Sequence, residues 1–587
     1  MHGSSPLTAI DATQGGLPMR ITRVHIENYR SIRELDLYPD DYTILIGDNN
    51  AGKSNILKAM NLVLGETWPT DRTFTLEDFH NHDSEQDIVI QVYFDTVLEK
   101  WKNMSLKVWG FELRGHAYKR AYRGLPRGTI KVDYTCINDK GETVRYPAEP
   151  LQEGKQAKIW YDLKVSQAFK DSLPFIYIDQ MRDYYRQDPA NRWSALRKMV
   201  NDVSTAVNHD RTTVKVLTAD GEVKMTRKQA FEYKMGEALG YLRHLDLVSI
   251  EDQIGWGLEQ MGFGGGDSGV AVKMALADQV DAFRSLRLLV DQMGSSTMAE
   301  SAGSGMQSAL VIAILRAYAE IKREGAVMAI ETPEIFLHPR QMAYFRDALR
   351  SLSAKHQVLI VTHSPDFVDI SRPGEIHLVR RRGEAGTRIT TCNPDQLDEE
   401  FKQALALSNF EDKERSRMFF ARGVVLVADS LDKLAFNMTA RSLAVDLNRA
   451  GIEVIACGGK GSLLRYAQVA RAFEIPAVVI AASGLSGDDG TLEPDPSTRT
   501  TDPSDQPMNE VLRRRIKEAD LFWLHPDLIA AVGLRRDGID LHKDTADYFR
   551  SHSADDLPTA LVQAVGRICW LAEHELLGRG EEYNGSK

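Results

Sequence analysis

The string Gly-Asp-Asn-Asn-Ala-Gly-Lys-Ser at 47–54 constrains this chain more than any other feature. It has the spacing G-x-x-x-x-G-K-[ST], and its surroundings give that spacing meaning. An apolar run at 42–46 precedes it, and a helical pattern runs from Ser54 through Asn61 to Leu64. A Gly-rich turn between a buried strand and a helix aims successive backbone N–H groups at one spot, and the helix adds its positive dipole end. Such a turn cradles nucleotide phosphates. Gly47 and Gly52 permit the tight turn, with Asn49, Asn50 and Asn55 in and beside it. Lys53 brings a cation to the β- and γ-phosphates, and Ser54 offers a hydroxyl to Mg2+. The expected cofactors are therefore ATP and Mg2+.

Three more segments follow in a fixed order some 250 residues later. SAGSGMQS (301–308) is similar to the signature loop of ABC-type ATPases, with Ser304 and Gly305 at its centre. AVMAIETPE (326–334) has the apolar strand and acidic end of a Walker B element, which makes Glu331 the expected Mg2+ ligand. VLIVTHSPD (358–366) sets His363 just past a strand end, where a switch histidine senses the γ-phosphate. The ordered set resembles the ABC/SMC-like class, whose members sandwich two nucleotides between two heads. One loop and one signature per chain then imply a homodimer or higher homo-oligomer. In that class a second acid usually follows the first, but Thr332 follows Glu331 here. Threonine cannot accept a water proton as a carboxylate does, and Glu334 is the nearest substitute. Tight ATP binding with weak turnover is the expectation.

At 587 residues the chain is too long for one core. A net charge of −11 gives no general attraction to nucleic acid, so DNA contact would need local basic patches. Arg372 with Arg380, Arg381 and Arg382 form one such run, and Arg513–Arg515 with Lys517 another. No stretch of 18 apolar residues predicts a membrane span. Four scattered cysteines (Cys136, Cys392, Cys457, Cys569) form no CxxC pair, which fits a reducing, cytoplasmic setting.

The pattern divides the chain into a disordered leader at 1–18, an ATPase domain at 19–395, a helical connector at 396–420 and a second α/β domain at 421–587. Met19 is an alternative natural start. Strands are predicted at 20–47, 87–95 and 129–136, with a Gly- and Arg-rich connection at 114–128. Residues 187–270 read as a helical insertion, either a packing element or a dimerisation arm. Residues 285–380 alternate helix and strand, and a second βα series begins at 424–427. Residues 484–508 are predicted to form a long loop.

Together, ITRVHIENYRSI, the phosphate loop, GSGMQSALVIAI, AIETPEIFLHP and VTHSPDFV resemble the OLD (overcoming lysogenization defect) family. That family couples an ABC-type ATPase to a C-terminal Toprim domain. The resemblance implies an α/β fold: an ABC/SMC-like P-loop ATPase with a helical insertion, then a Toprim-like (Rossmannoid) domain. It also implies Toprim-bound Mg2+ or Mn2+ held by a Glu after the first strand and an Asp-x-Asp after a later one. In GVVLVADSLDKLAF (423–436), Asp432 and Lys433 match the second acid and lysine, but Ala428 stands in the Glu position. In IPAVVIAASGLSGDDG (475–490), Ala481 and Ser483 replace both aspartates, and Ile529 stands where a further Glu is expected. A methyl group cannot ligate a metal. Asp429 and Asp488 are acids close enough in sequence to be recruited, although helix capping and turn formation explain them more simply.

Three functions follow from these residues. The first is a dimeric ATP-binding switch in DNA processing or anti-phage defence, its Toprim centre degenerate and its output a separate effector protein. The second is an active ATP- and metal-dependent endonuclease using displaced acids. The third is an SMC-like structural or repair ATPase, which the second βα domain disfavours.

Overall fold

Alternating apolar residues commit the N-terminal segment to strands with one buried face. The computed structural model describes residues 19–98, 106–118, 129–147, 159–180, 325–392, 413–484, 505–534 and 540–577 apart from single positions, with shorter pieces between 199 and 317. Strands β1 (Ile21–Tyr29) and β2 (Ile32–Leu37) open the chain, and β3 (Tyr42–Ile46) follows, all five of its residues buried. Strands β4 (Ile88–Leu98), β5 (Val108–Ala117) and β6 (Ile130–Ile137) complete an antiparallel sheet in the order β2-β1-β4-β5-β6. A small hairpin of β7 (Arg145–Pro147) and β8 (Trp160–Asp162) adjoins it in sequence.

Strand β5 runs into the stretch read as connection. Arg114, part of the reason for that reading, lies on the strand and pairs with Glu112 at 3.0 Å and Asp87 at 3.3 Å. Its charge is neutralised across the sheet, so the strand persists.

The second sheet is mostly parallel. Strands β9 (Phe175–Ile178), β14 (Val327–Glu331), β15 (Gln357–Val361) and β16 (Ile376–Arg382) join β3, and β17 (Gly386–Thr391) adds an antiparallel edge, in the order β17-β16-β3-β15-β14-β9. The helix Lys53–Leu64 packs against β1, β4, β5 and β9, and its buried side chains join those of both sheets in one core. Because β3, β14 and β15 are parallel, their carboxyl ends bring Gly47, Thr332 and Thr362 to one edge, the place where open α/β sheets bind ligands.

The chain divides into two compact units, residues 181–323 and the remainder. The described part of 181–323 adds strands to the mostly helical insertion expected at 187–270. It contains an antiparallel hairpin of β10 (Thr213–Thr218) and β11 (Gly221–Thr226) before the helix Arg227–Gly240. Val214, Val216 and Val223 stiffen these strands, and β-branching favours sheet over helix. A second hairpin, β12 (Leu289–Gln292) with β13 (Ser295–Met298), precedes the signature region.

In the C-terminal region, β18 (Gly423–Val427), β19 (Ile452–Ala456), β20 (Ala477–Ala482) and β21 (Leu521–Leu524) form a parallel sheet ordered β19-β18-β20-β21. Helices Ser430–Ser442 and Thr559–Leu577 cover it with Phe436, Leu561, Val565 and Ile568. Of the expected connector, 413–420 is a short helix and a 3-10 turn; residues 396–412 and the leader 1–18 lie outside the described residues. The helix Asp505–Arg515 occupies the end of the segment read as loop. Among the described residues, no helix is long and apolar enough to cross a membrane.

Candidate functional site

The phosphate loop leaves β3 through a backbone that only small residues tolerate. Gly47 has φ +138°, and a Cβ there would lie 2.0 Å from the Val379 carbonyl oxygen. Gly52 has φ +107°, and its Cβ would meet Thr387 Oγ1 at 2.3 Å and Ser31 Oγ at 2.6 Å. Asn50 is left-handed at φ +62°, and both Asn49 and Asn50 are exposed. Asn55 donates from Nδ2 to Ser31 Oγ at 2.9 Å, so it braces the loop. Thr387 donates to the Ala51 carbonyl at 2.8 Å, a buttress from β17 that no motif announces.

Lys53 begins the helix and is 4% exposed. Its Nζ donates to the carbonyls of Gly47 and Asp48, each at 2.8 Å, which curls the loop around the ammonium. Burial pushes its pKa down to about 8, against the pull of Asp48 and Glu334. A buried cation inside a ring of turned-in backbone is what a polyphosphate needs, so these residues fit ATP. Ser54 is half-buried one residue further on.

Glu331 closes β14, 5% exposed, and accepts from the Tyr177 hydroxyl at 2.8 Å. Thr332 is left-handed at φ +45°, costly for a β-branched residue, and its N–H donates to Val361 O at 2.7 Å. The turn brings Glu334 across to β15, where Oε2 accepts from Thr362 Oγ1 at 2.9 Å and Oε1 from the His363 N–H at 2.8 Å. His363 has its pKa lowered by burial and then by the Lys53 charge, with Glu334 opposing. Lys53, Glu334 and His363 therefore share one electrostatic environment, with Glu331 at the neighbouring strand end. Gly305 is helical within the 181–323 unit, and Ser304 lies outside the described residues.

The carboxyl ends of the C-terminal sheet carry a different chemistry. Asp429 caps the helix Ser430–Ser442: its Oδ1 accepts from Leu431 N at 2.8 Å and Asp432 N at 3.0 Å. Asp432 has its pKa raised to about 7 by burial and by the neighbouring Asp429, with Asp527 adding to the push. Asp527, absent from the sequence reading, caps the short helix after β21 by accepting from Ala530 N at 3.0 Å. Lys433 is ion-paired with Glu414.

Ser483 is 1% exposed and lies 2.9 Å from His525 Nδ1 through its hydroxyl, while its carbonyl accepts from Asn509 at 2.7 Å. Ala481 is fully buried beside Trp523 in the strand register. Ile529 lies in the helix that Asp527 caps, and Asp488 falls outside the described residues. Among the described residues, no group of three or more His, Cys, Asp or Glu side chains is arranged to hold a metal ion. The described residues at this centre do not fit the Mg2+ or Mn2+ site that the resemblance implied.

The basic runs are largely consumed by structure. Arg372 pairs with Asp369 and Glu375, Arg382 pairs with Glu474 at 2.6 Å, and Arg380 donates to the Glu474 carbonyl at 3.0 Å. Arg513 lies over the Trp523 ring, 5.3 Å from its centroid, and Arg514 pairs with Glu510.

Comparison with known proteins matches separate parts of the chain to different families. A family described as "AAA ATPase domain" matches residues 19–140 and 268–368, and "Overcoming lysogenization defect protein-like, TOPRIM domain" matches residues 419–481. The chain is 27% identical over 564 residues to a protein named OLD nuclease from Thermus scotoductus, covering 93% of this chain and 99% of that one. It is 23% identical over 494 residues to the Old nuclease of Escherichia phage P2, covering 79% and 77% respectively. Among solved structures, a Pyrococcus furiosus Smc head domain bound to the C-terminal domain of ScpA aligns with 66% of this chain and 98% of its own at 11% identity. The TM-score is 0.36, too low to carry an argument. An AAA ATPase domain followed by an OLD-like Toprim domain, in a chain that aligns nearly end to end with an OLD nuclease, is the arrangement in which this protein is similar to the OLD family.

Proposed function

We propose that this OLD-family ATPase is a dimeric ATP-binding switch in DNA processing or anti-phage defence, with slow hydrolysis and a Toprim domain that serves as a docking scaffold. ATP supplies the negative phosphates, and with Mg2+ the charge, that hold two heads together. Lys53 and the loop amides bind the phosphates, and Ser54 with Glu331 holds the metal. Glu334 orients His363 toward the γ-phosphate side. Ser304 and Gly305 complete the site of a second copy. The Toprim domain recruits or restrains a separate effector protein.

One observation carries this reading: uncharged groups occupy the positions where acids are needed. Thr332, Ala428, Ala481 and Ser483 stand there, and the Ser483 hydroxyl is engaged with His525. Hard divalent ions need clustered oxygen ligands at a strand end, and these side chains do not provide them. The test is plasmid cleavage in Mg2+ or Mn2+, comparing the wild type with Asp432→Ala. The switch reading expects no specific cleavage by either. Metal-dependent nicking that the substitution abolishes would establish the second reading, an active endonuclease built on displaced acids. That alternative is favoured by the electrostatic push that Asp429 and Asp527 exert on Asp432 and by the nuclease names of the relatives.

A further inference from the structure

The ATPase and Toprim-like domains meet along β16, the strand hydrogen-bonded to β3 just before the phosphate loop. Arg380 donates to the carbonyls of Glu474 at 3.0 Å and Ala421 at 3.4 Å, and Arg382 reaches the Glu474 carboxylate at 2.6 Å. Glu474 is left-handed at φ +53°, which lets carbonyl and carboxylate face the same pair of arginines. Beside this clasp is a cleft of about 40 Å³ lined by Gly47 and Asp48 on one side and Phe419, Ala421 and Arg422 on the other.

Arg422, the residue before β18, crosses the cleft. Its Nε lies 3.7 Å from Asp48 Oδ2, and its N–H donates to the Gly451 carbonyl at 2.8 Å. Gly451 has φ +71°, and a Cβ there would lie 3.0 Å from the Arg422 side-chain carbons, so the glycine makes room for the arginine stem. Asp48 is the second residue of the phosphate loop, and its carbonyl binds Lys53.

We propose that Arg422 is a nucleotide-site residue contributed by the Toprim-like domain, which links ATP binding to the docking of that domain on the ATPase sheet. The inference rests on the ATP-switch reading and adds the route by which the switch reaches its output domain. Bound phosphates bring negative charge beside the Asp48 carboxylate, and that juxtaposition is repulsive. The Arg422 cation offsets it, so the docked protein binds ATP more tightly. Linkage is reciprocal: the added negative charge strengthens the hold on Arg422, so ATP tightens the seam.

The experiment uses the full chain, ATPγS with Mg2+, calorimetric affinity and hydrogen exchange of the seam segments 417–423 and 473–476. In the wild type, nucleotide is expected to slow exchange in both segments. Arg422→Glu is expected to weaken binding by about three- to tenfold at low salt and to abolish or reverse that slowing. Arg422→Lys keeps the charge and stays near wild type; Arg422→Gln gives an intermediate loss and replaces the Glu variant if that one misfolds. Affinity within about twofold of wild type in both the Glu and Gln variants, or slowing that persists in them, would overturn the role of Arg422. A wild type that fails to bind ATPγS would instead remove the switch reading itself, a distinct result.

Discussion

The Glu334 carboxylate accepts the backbone N–H of His363 at 2.8 Å, fixing the loop just beyond β15 to the turn after β14. Its second oxygen holds the Thr362 hydroxyl, so both oxygens are engaged. An acid used this way positions the histidine and is poorly placed to take a proton from water as well.

Glu334→Ala is therefore expected to free His363 and lower ATP turnover about tenfold or more, with a smaller change in KM. Glu334→Gln keeps acceptor capacity on one oxygen and should fall between. Steady-state phosphate release measures both, and a Gln variant as impaired as Ala would assign the role to the charge.

Thr332→Glu is expected to raise turnover above wild type, because it places a carboxylate directly after Glu331, the metal ligand of the proposed site. Unchanged phosphate release would show that a group already present activates the water. The left-handed backbone at position 332 means that the substitution inherits the existing strain without adding a new kind.

Lys53 gives a pH signature. Its pKa in the free protein is about 8 against a usual 10.5, and bound phosphates favour its charged form. ATP affinity should be greatest below about pH 8 and decline above it, with a proton taken up on binding. Calorimetry near pH 9 in two buffers of different ionisation enthalpy detects that proton. The sign for stability is the reverse: the unfolded chain binds more protons between about 8 and 10.5, so the ATP-free fold gains stability as pH rises through that window. Lys53→Ala should abolish both ATP binding and the proton uptake.

Asp429 and Asp432 separate by stability. Removing the cap with Asp429→Ala should cost about 0.5–2 kcal/mol in chemical denaturation, while Asp429→Asn, a good cap itself, should cost little. Asp432 has a folded pKa raised to about 7, so the folded form binds more protons than the unfolded form between about 4 and 7. Its contribution is therefore lost as pH rises through that window, and Asp432→Asn should flatten the wild-type decline in melting temperature there.

Much of the ATPase half was legible because its motifs couple local backbone demands to chemistry. A glycine at φ +107° crowded by Thr387 and Ser31 leaves a visible letter in the sequence. The buttress itself did not, since a threonine some 330 residues away in the chain carries no local pattern. The hairpin at 213–226 was hidden by its polar composition, although alternating valines and a glycine at its turn were the available signal. No local pattern marks Tyr177; that its hydroxyl reaches Glu331 is a fact of sheet order, which pairs β9 with β14 across some 150 residues of chain. Asp527 and Arg422 escaped for the same reason: each matters through a neighbour in space.

Under the proposed scaffold role, the contact between Ser483 and His525 makes the Toprim centre difficult to arm with a metal. An aspartate returned to position 483 would meet an imidazole already within bonding reach and an asparagine already drawn to the backbone. It would gain a hydrogen-bond partner before it gained a metal. Carboxylates at 428 and 481 would have to arrive as well, the latter at a position with no exposed surface. Intermediate sequences along that path would carry buried charge without the cation that justifies it, so a route to metal chemistry through these positions runs through less stable proteins.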